Sequence, residues 1–213
     1  MKKIEIPIAQ EGLPFILFCA FVTLVIAVLG YAPLALLALL VTFFVTWFFR
    51  NPCRILPADH DALICPADGK VIAVKEMFDE RFLRKEVVRI SIFMNVFNVH
   101  VNRVPFAGTV ERILFKPGKF YAADKHQAAL HNEYCAVIVN TTAQQRYVIV
   151  QIAGFIARRI VCWVEPGDHL TGGQRYGLIR FGSRVDIYLP QRTKITVKKG
   201  QKVRAGETVL GKM

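Results

Sequence analysis

The sequence predicts a mainly β domain, resembling a barrel-sandwich hybrid with little helix, preceded by an N-terminal transmembrane helical hairpin. Three observations predict it. An uncharged apolar run fills 13–49, the remainder is cut by turn residues into short Val- and Ile-rich stretches, and one turn–strand–turn unit occurs twice. Of the 213 residues, 54% are hydrophobic and 21% charged, and mean hydropathy is +0.36. That composition excludes intrinsic disorder, which needs low hydrophobicity and an excess of like charge.

The apolar run divides at Gly30-Tyr31-Ala32-Pro33 into 14–29 and 34–49. Either half is short of the roughly 20 residues of a spanning helix, and the whole is long for one span. Gly30 and Pro33 favour a turn, so a tight hairpin is expected, with one kinked span as the alternative. Lys2 and Lys3 flank one end and Arg50 the other, with Trp47 beside it. The positive-inside bias then puts both ends in the cytoplasm. Residues 1–50 read as a membrane anchor, and 51–213 as a soluble part on the cytoplasmic face of the cell (inner) membrane.

Net charge is +12, of which only +1 precedes Asn51. A basic domain beside a membrane segment expects an anionic partner. Basic and aromatic residues do not alternate in an RNA-binding pattern, so an anionic membrane surface is preferred and no nucleic acid is expected. The five cysteines (19, 53, 65, 135 and 162) are odd in number and form no C-x-x-C pair. They read as thiols in a reducing compartment, neither a disulfide framework nor a zinc site.

Strands are expected at 62–64, 70–74, 87–93, 108–115, 136–140, 146–153, 156–164, 184–188, 193–198 and 208–211, with weak helix only at 121–133. The repeat pairs Gly167-Asp-His-Leu-Thr-Gly-Gly173-Gln174 with Gly200-Gln-Lys-Val-Arg-Ala-Gly206-Glu207, sharing G-x-x-[LV]-x-x-G-[QE]. Two such units suggest the paired hairpins of a barrel-sandwich hybrid. The Met-Lys-Met-like tip of a swinging-arm carrier is missing. An architectural role follows, and a membrane-anchored adaptor without activity is one functional reading.

Walker, G-x-G-x-x-G, H-E-x-x-H and G-x-S-x-G motifs are all absent, and the five histidines do not fall at metal-ligand spacing. No metal is expected. Arg180-Phe-Gly-Ser-Arg-Val-Asp186 remains, between two strand candidates. Gly182 has no Cβ, so its carbonyl is accessible and its backbone tolerates strain. A deprotonated Ser183 Oγ can attack that carbonyl and turn the peptide into an ester. Loss of the serine α-proton then expels the upstream carboxylate, and the dehydroalanine left behind hydrolyses to a pyruvoyl group with loss of ammonia. Taken alone, Gly-Ser in a turn is an ordinary turn, and a serine hydrolase using Ser183 directly is a further reading.

Arg180–Pro190 resembles the self-cleavage site of phosphatidylserine decarboxylase proenzymes in their short prokaryotic form. Pro66-Ala-Asp-Gly69, Asn98-Val-His-Val-Asn-Arg-Val-Pro105, Gly118-Lys119-Phe120, Asn132-Glu133 and Gln151–Arg159 are similar to the family's other blocks, in the family's order. The resemblance covers essentially all of 51–213. It implies cleavage between Gly182 and Ser183 into a β chain, 1–182, and an α chain, 183–213. It implies a covalent pyruvoyl cofactor made from Ser183, which forms a Schiff base with the amine of a serine phospholipid and decarboxylates phosphatidylserine to phosphatidylethanolamine. An ether-linked serine lipid (archaetidylserine) has the same reacting headgroup. For activation of Ser183 the resemblance implies His100 as base and Asp68 as the residue that fixes its tautomer. Longer members carry a second histidine three residues on, where Arg103 stands here. Short β domains with exposed edges often pair, so a homodimer is expected.

Overall fold

The computed structural model describes residues 7–59, 61–118, 131–154, 159–180 and 183–213. These fall into two units, Met1–Cys53 and Arg54–Met213. In the first, α1 (Leu13–Val28) and α2 (Ala32–Phe48) pack against each other as a hairpin. The chain on either side meets: Ala9 N–H donates to Phe49 O at 2.8 Å, and Asn51 N–H to Pro7 O at 2.6 Å. Between the helices Thr23 Oγ1 and Thr42 Oγ1 lie 3.0 Å apart. The hairpin therefore prevails over the kinked span. Leu17, Phe18, Phe21, Leu24, Leu36 and Phe43 are all exposed. The stretch Gln10–Val28, with hydropathy 2.3, is long and apolar enough to cross a membrane. An exposed apolar helix of this kind fits membrane association.

The second unit is built of strands. In chain order these are β1 (Ala62–Ile64), β2 (Gly69–Asp79), β3 (Lys85–Met94), β4 (Val101–Arg103), β5 (Gly108–Lys116), β6 (Tyr134–Asn140) and β7 (Arg146–Ala153). They continue as β8 (Ile160–Cys162), β9 (His169–Leu170), β10 (Arg175–Ile179), β11 (Ser183–Pro190), β12 (Lys194–Ile195), β13 (Lys202–Val203) and β14 (Val209–Lys212). Eight form one antiparallel sheet in the order β13-β2-β3-β11-β7-β6-β5-β9. Two three-stranded sheets, β1-β14-β12 and β4-β10-β8, complete the unit.

The twofold repeat in the sequence is the visible edge of a larger duplication. Gly167, Gly173, Gly200 and Gly206 all take positive φ, between 78° and 96°, which is why glycine occupies both ends of each unit. Gly167 N–H donates to Val110 O at 2.8 Å, and Gly200 N–H to Val71 O at 2.7 Å. Gly173 N–H reaches Val104 O at 2.8 Å, and Gly206 N–H reaches Cys65 O at 2.9 Å. The bulges match too, between Val71 and Ala73 in β2 and between Val110 and Arg112 in β5. The large sheet thus reads the same from either edge, with a pseudo-twofold axis between β11 and β7. One half comprises 62–94 and 183–212; the other, 101–179, is inserted within it. In the inserted half β6 and β7 are joined by the short turn 141–145. In the outer half the corresponding strands, β3 and β11, are joined through the whole of the insertion.

Alternation sorts β11 into two faces. Val185, Ile187 and Leu189 enter the main core with Met94, Ile149 and Ala153. On the opposite face Tyr188 joins a smaller cluster with Phe82 and Val148. There too Arg184 forms a fully buried bidentate pair with Asp186, Nε to Oδ1 at 2.6 Å and an η-nitrogen to Oδ2 at 2.9 Å, while donating to Ser91 Oγ at 2.9 Å.

Several strands depart from expectation. The strand expected at 156–164 is limited to Ile160–Cys162 among the described residues; β9 and β13 are the short strands of the two repeat units, and β4 and β10 were not anticipated as strands of their own. Each is two to five residues long and takes its stability from a partner distant in sequence, so no local periodicity announces it. Of the helix expected at 121–133, residues 121–130 lie outside the described residues. The sheet β4-β10-β8 approaches β7 closely at Gly177, where a Cβ would sit 2.4 Å from Val161 O and 2.8 Å from Gln151 Nε2. Gly177→Ala is expected to lower stability by about 1–3 kcal/mol through overpacking, read as a lower urea midpoint.

Candidate active site

Ser183 opens β11, paired with Met94 of β3 on one side and Ala153 of β7 on the other. It is completely buried. Its Oγ–H donates to Met94 Sδ at 3.4 Å, a soft and weak acceptor that leaves the hydroxyl proton poorly held. Its cross-strand neighbours Met94 and Ala153 are apolar, and the side chain is no larger than a methyl ketone, so the position fits conversion to a pyruvoyl group. Gly182 lies outside the described residues.

His100 is also completely buried, just ahead of β4. Its backbone carbonyl accepts from Ile179 N–H at 3.2 Å, which ties it to the end of β10, the strand that leads toward Ser183. Its Nδ1 lies 2.9 Å from Asn98 O. A carbonyl can only accept, so Nδ1 carries the proton and Nε2 the lone pair. The loop is shaped for this contact: Asn95 Oδ1 accepts from Phe97 N–H and Asn98 Oδ1 from Asn95 N–H, at 3.0 and 2.9 Å. Such side-chain-closed turns are what asparagine supplies in a loop.

Asp68 was expected to orient His100; its recorded bonds go elsewhere. Oδ2 pairs with an Arg54 η-nitrogen at 2.8 Å, and Oδ1 accepts from Ala205 N–H at 2.7 Å. Arg54 also reaches Glu207 at 3.3 Å. Asp68 therefore binds the segment around 205–207, and the partner that fixes the His100 tautomer is the Asn98 carbonyl. Arg103 is buried, and donates to Gly173 O at 2.9 Å. Its side chain also passes Gly206, where a Cβ would meet Arg103 Cδ at 3.0 Å. The arginine at the second-histidine position thus joins the repeat glycines of both halves.

The other sequence blocks converge on Ser183 through its neighbours. Asn132 Nδ2 donates to Ala153 O at 2.7 Å, and Ala153 N–H to Glu133 O at 3.0 Å, so Asn132-Glu133 holds the residue opposite Ser183. A Cβ on Gly69 would stand 2.1 Å from Phe93 O, which accounts for the glycine of Pro66-Ala-Asp-Gly69 where β2 meets β3. Two buried amides, Asn102 and Gln151, received no role from the sequence: Gln151 Nε2 donates to Asn102 Oδ1 at 2.9 Å. Of the remaining histidines, His131 and His169 are exposed, while His60 and His126 lie outside the described residues. Burial pushes the Cys65 thiol up to about 12, which marks a core thiol rather than a nucleophile. The open cleft lined by Lys85, Gln144, Pro190 and Arg192 lies at the opposite end of β11 from Ser183.

Comparison with known proteins agrees with this geometry. The profile of the family described as phosphatidylserine decarboxylase matches residues 41–211. The chain is 53% identical to a phosphatidylserine decarboxylase proenzyme of Desulfotalea psychrophila over 213 residues, all of both chains. It is 51% identical to one of Syntrophotalea carbinolica and 49% to one of Geotalea uraniireducens, each over 211 residues and 99% of both chains.

Asp68→Ala would leave buried Arg54 with Glu207 alone and Ala205 N–H without its acceptor. A loss of about 3 kcal/mol is expected, at the low end for breaking a buried pair because Glu207 remains. Chemical denaturation measures it, and faster hydrogen exchange at the Ala205 amide localises it.

Proposed function

Because the chain belongs to the phosphatidylserine decarboxylase family, we propose that it cleaves itself before Ser183, converts that residue to a pyruvoyl group, and decarboxylates phosphatidylserine to phosphatidylethanolamine and CO2. The observation that carries this reading is the placement of Ser183: fully buried at the first position of β11, its hydroxyl donated to a thioether, within a chain whose relatives are named proenzymes.

His100, with its lone pair at Nε2, takes the Ser183 proton. Oγ then bonds to the Gly182 carbonyl carbon, the Gly182–Ser183 C–N bond breaks, and the proton goes to the departing amine. The ester so formed loses the Ser183 α-proton and expels the Gly182 carboxylate. The resulting dehydroalanine takes up water and releases ammonia. When formed, the α-keto amide supplies an electrophilic carbonyl and an electron sink for the carbanion left by CO2. The chain's own residues hold it in place: Met94 and Ala153 pair with position 183 from both sides, and buried apolar neighbours keep bulk water away.

Asp68, through Arg54 and Ala205, serves to keep the C-terminal fragment seated once the chain is cut. The helical hairpin and the basic charge of 51–213 keep the site at an anionic lipid surface, which we assign to the cytoplasmic face of the inner membrane.

Mass analysis of denatured protein tests the reading. Wild type is expected as two pieces, the smaller covering 183–213 with a blocked, pyruvoyl N-terminus. Ser183→Ala is expected as one inactive chain of 24.1 kDa. An intact, fully active wild type overturns the reading.

Self-cleavage should also slow as pH falls, because protonation at Nε2 removes the lone pair that accepts the Ser183 proton. A time course of intact chain between about pH 5 and 8 checks this; a flat profile counts against His100 as base.

A further inference from the structure

Two cysteines with no part in the scheme above face each other between stacked sheets. Gly177 of β10 lies over Gln151 of β7, where a Cβ would sit 2.8 Å from Gln151 Nε2. One strand over in the large sheet, Cys135 of β6 is the cross-strand partner of Gln151. One strand over in the small sheet, Cys162 of β8 is the partner of Gly177. Directly opposed residues of an antiparallel pair share a face, so both thiols enter the space between the sheets. Cys135 is a fully buried member of the main core, and Cys162, half-buried, packs against that core. There they meet, the Cys135 S–H donating to Cys162 Sγ. That hydrogen bond draws the Cys162 thiol below its usual range; the same bond, with burial, holds the proton on Cys135. One thiol is acidified and reachable, and its neighbour is withheld from solvent. An attacking and a resolving cysteine divide their work in this way.

We propose that Cys135 and Cys162 are a peroxide-sensitive thiol pair that closes a disulfide between β6 and β8. The Cys162 thiolate attacks one peroxide oxygen and the O–O bond breaks. Cys162 becomes a sulfenic acid, and the departing hydroxide takes up the proton that the thiol gave, as water. The Cys135 sulfur then bonds to the Cys162 sulfur, the S–O bond breaks, and the Cys135 proton leaves with that oxygen as a second water. Two thiols are oxidised by two electrons, and one peroxide is reduced to two waters. Reducing surroundings keep the pair open, and exchange with a small thiol reopens it. Closure ties the small sheet to the large one. Within the small sheet, β10 pairs with β8 and its Ile179 N–H holds the His100 carbonyl, so the tie falls on the layer that positions His100. Both cysteines precede residue 182, so the link forms within one segment whether or not the chain is cut before Ser183.

Peptide mapping of the full-length protein in phosphatidylethanolamine/phosphatidylglycerol vesicles tests the pair. Reduced protein, freed of reductant, is treated with hydrogen peroxide, blocked with iodoacetamide and cut with trypsin. Cleavage after Lys125, Arg146, Arg159 and Arg175 puts Cys135 on peptide 126–146 and Cys162 on peptide 160–175. The expected product is 126–146 joined to 160–175, two hydrogens lighter than the free peptides and separated by dithiothreitol. It should form ahead of any oxidation of Cys53, although Cys53 is the more exposed. Cys135→Ala is expected to stop at a sulfenic acid on Cys162 that dimedone captures, and Cys162→Ser to leave Cys135 unmodified. Oxidised wild type should unfold at a higher urea concentration than reduced wild type, a shift that Cys162→Ser lacks. Peptides 126–146 and 160–175 recovered unlinked once Cys53 has reacted overturn the pair, as does a link from either of them to Cys53 or to another copy in its place. Cys135 oxidised in Cys162→Ser overturns the assigned order of attack, and an unmoved urea midpoint overturns the tie between sheets. Should a variant fail to fold, the wild-type peptide map decides.

Discussion

The rest of the structure depends on the double antiparallel pairing of β11. Ser183–Pro190 is bonded along its length to β3 and, from Ser183 to Tyr188, to β7 as well. An enclosed strand has no open edge, so its first residue is held as firmly as its middle. That rigidity fixes Ser183, its cross-strand neighbours Met94 and Ala153, and the Met94 sulfur on paired strands. The buried Arg184–Asp186 pair on the reverse face adds a second anchor one residue further on. Such pairs return little net stability against hydrophobic replacement, but they penalise any shift in register that would separate them.

The duplication explains where the site falls. A tight turn closes β6 to β7 in the inserted half, whereas the matching junction of the outer half is opened to admit that insertion. Met94 leaves the sheet there and Ser183 re-enters it. Asn102 comes from the inserted half, Ser183 and Met94 from the outer one, and His100 from the link between them. The pseudo-twofold arrangement is therefore broken at the place where reactive groups gather.

What could be read from the sequence was what local physics enforces. Positive φ demands glycine, so Gly167, Gly173, Gly200 and Gly206 exposed the repeat. Helix length and lack of charge exposed the hairpin, and long alternating strands such as β7 and β11 were placed nearly to their ends. Ser183, His100 and Asp68 came forward as candidates through the family's motif blocks rather than through spacing. The bonds that Asp68 makes were not legible: Arg54 lies 14 residues back and Ala205 137 residues ahead, contacts that only the assembled sheets create. Asn102 and Gln151 were invisible for the same reason. An amide in a strand looks polar and unremarkable until two sheets come together and pair it with another.

The interleaving of strands carries one more consequence. The segment 183–213 supplies β11 between β3 and β7, β13 at an edge beside β2, and β14 between β1 and β12. A break before Ser183 would turn a single polymer into two threaded through one another and held without a covalent link. The precursor could regain its shape after denaturation at any dilution, being one molecule. Its cut descendant would have to find a separate short peptide and weave it back into two sheets, a search that depends on concentration. Assembly would be a reversible event before the break and a historical one after it.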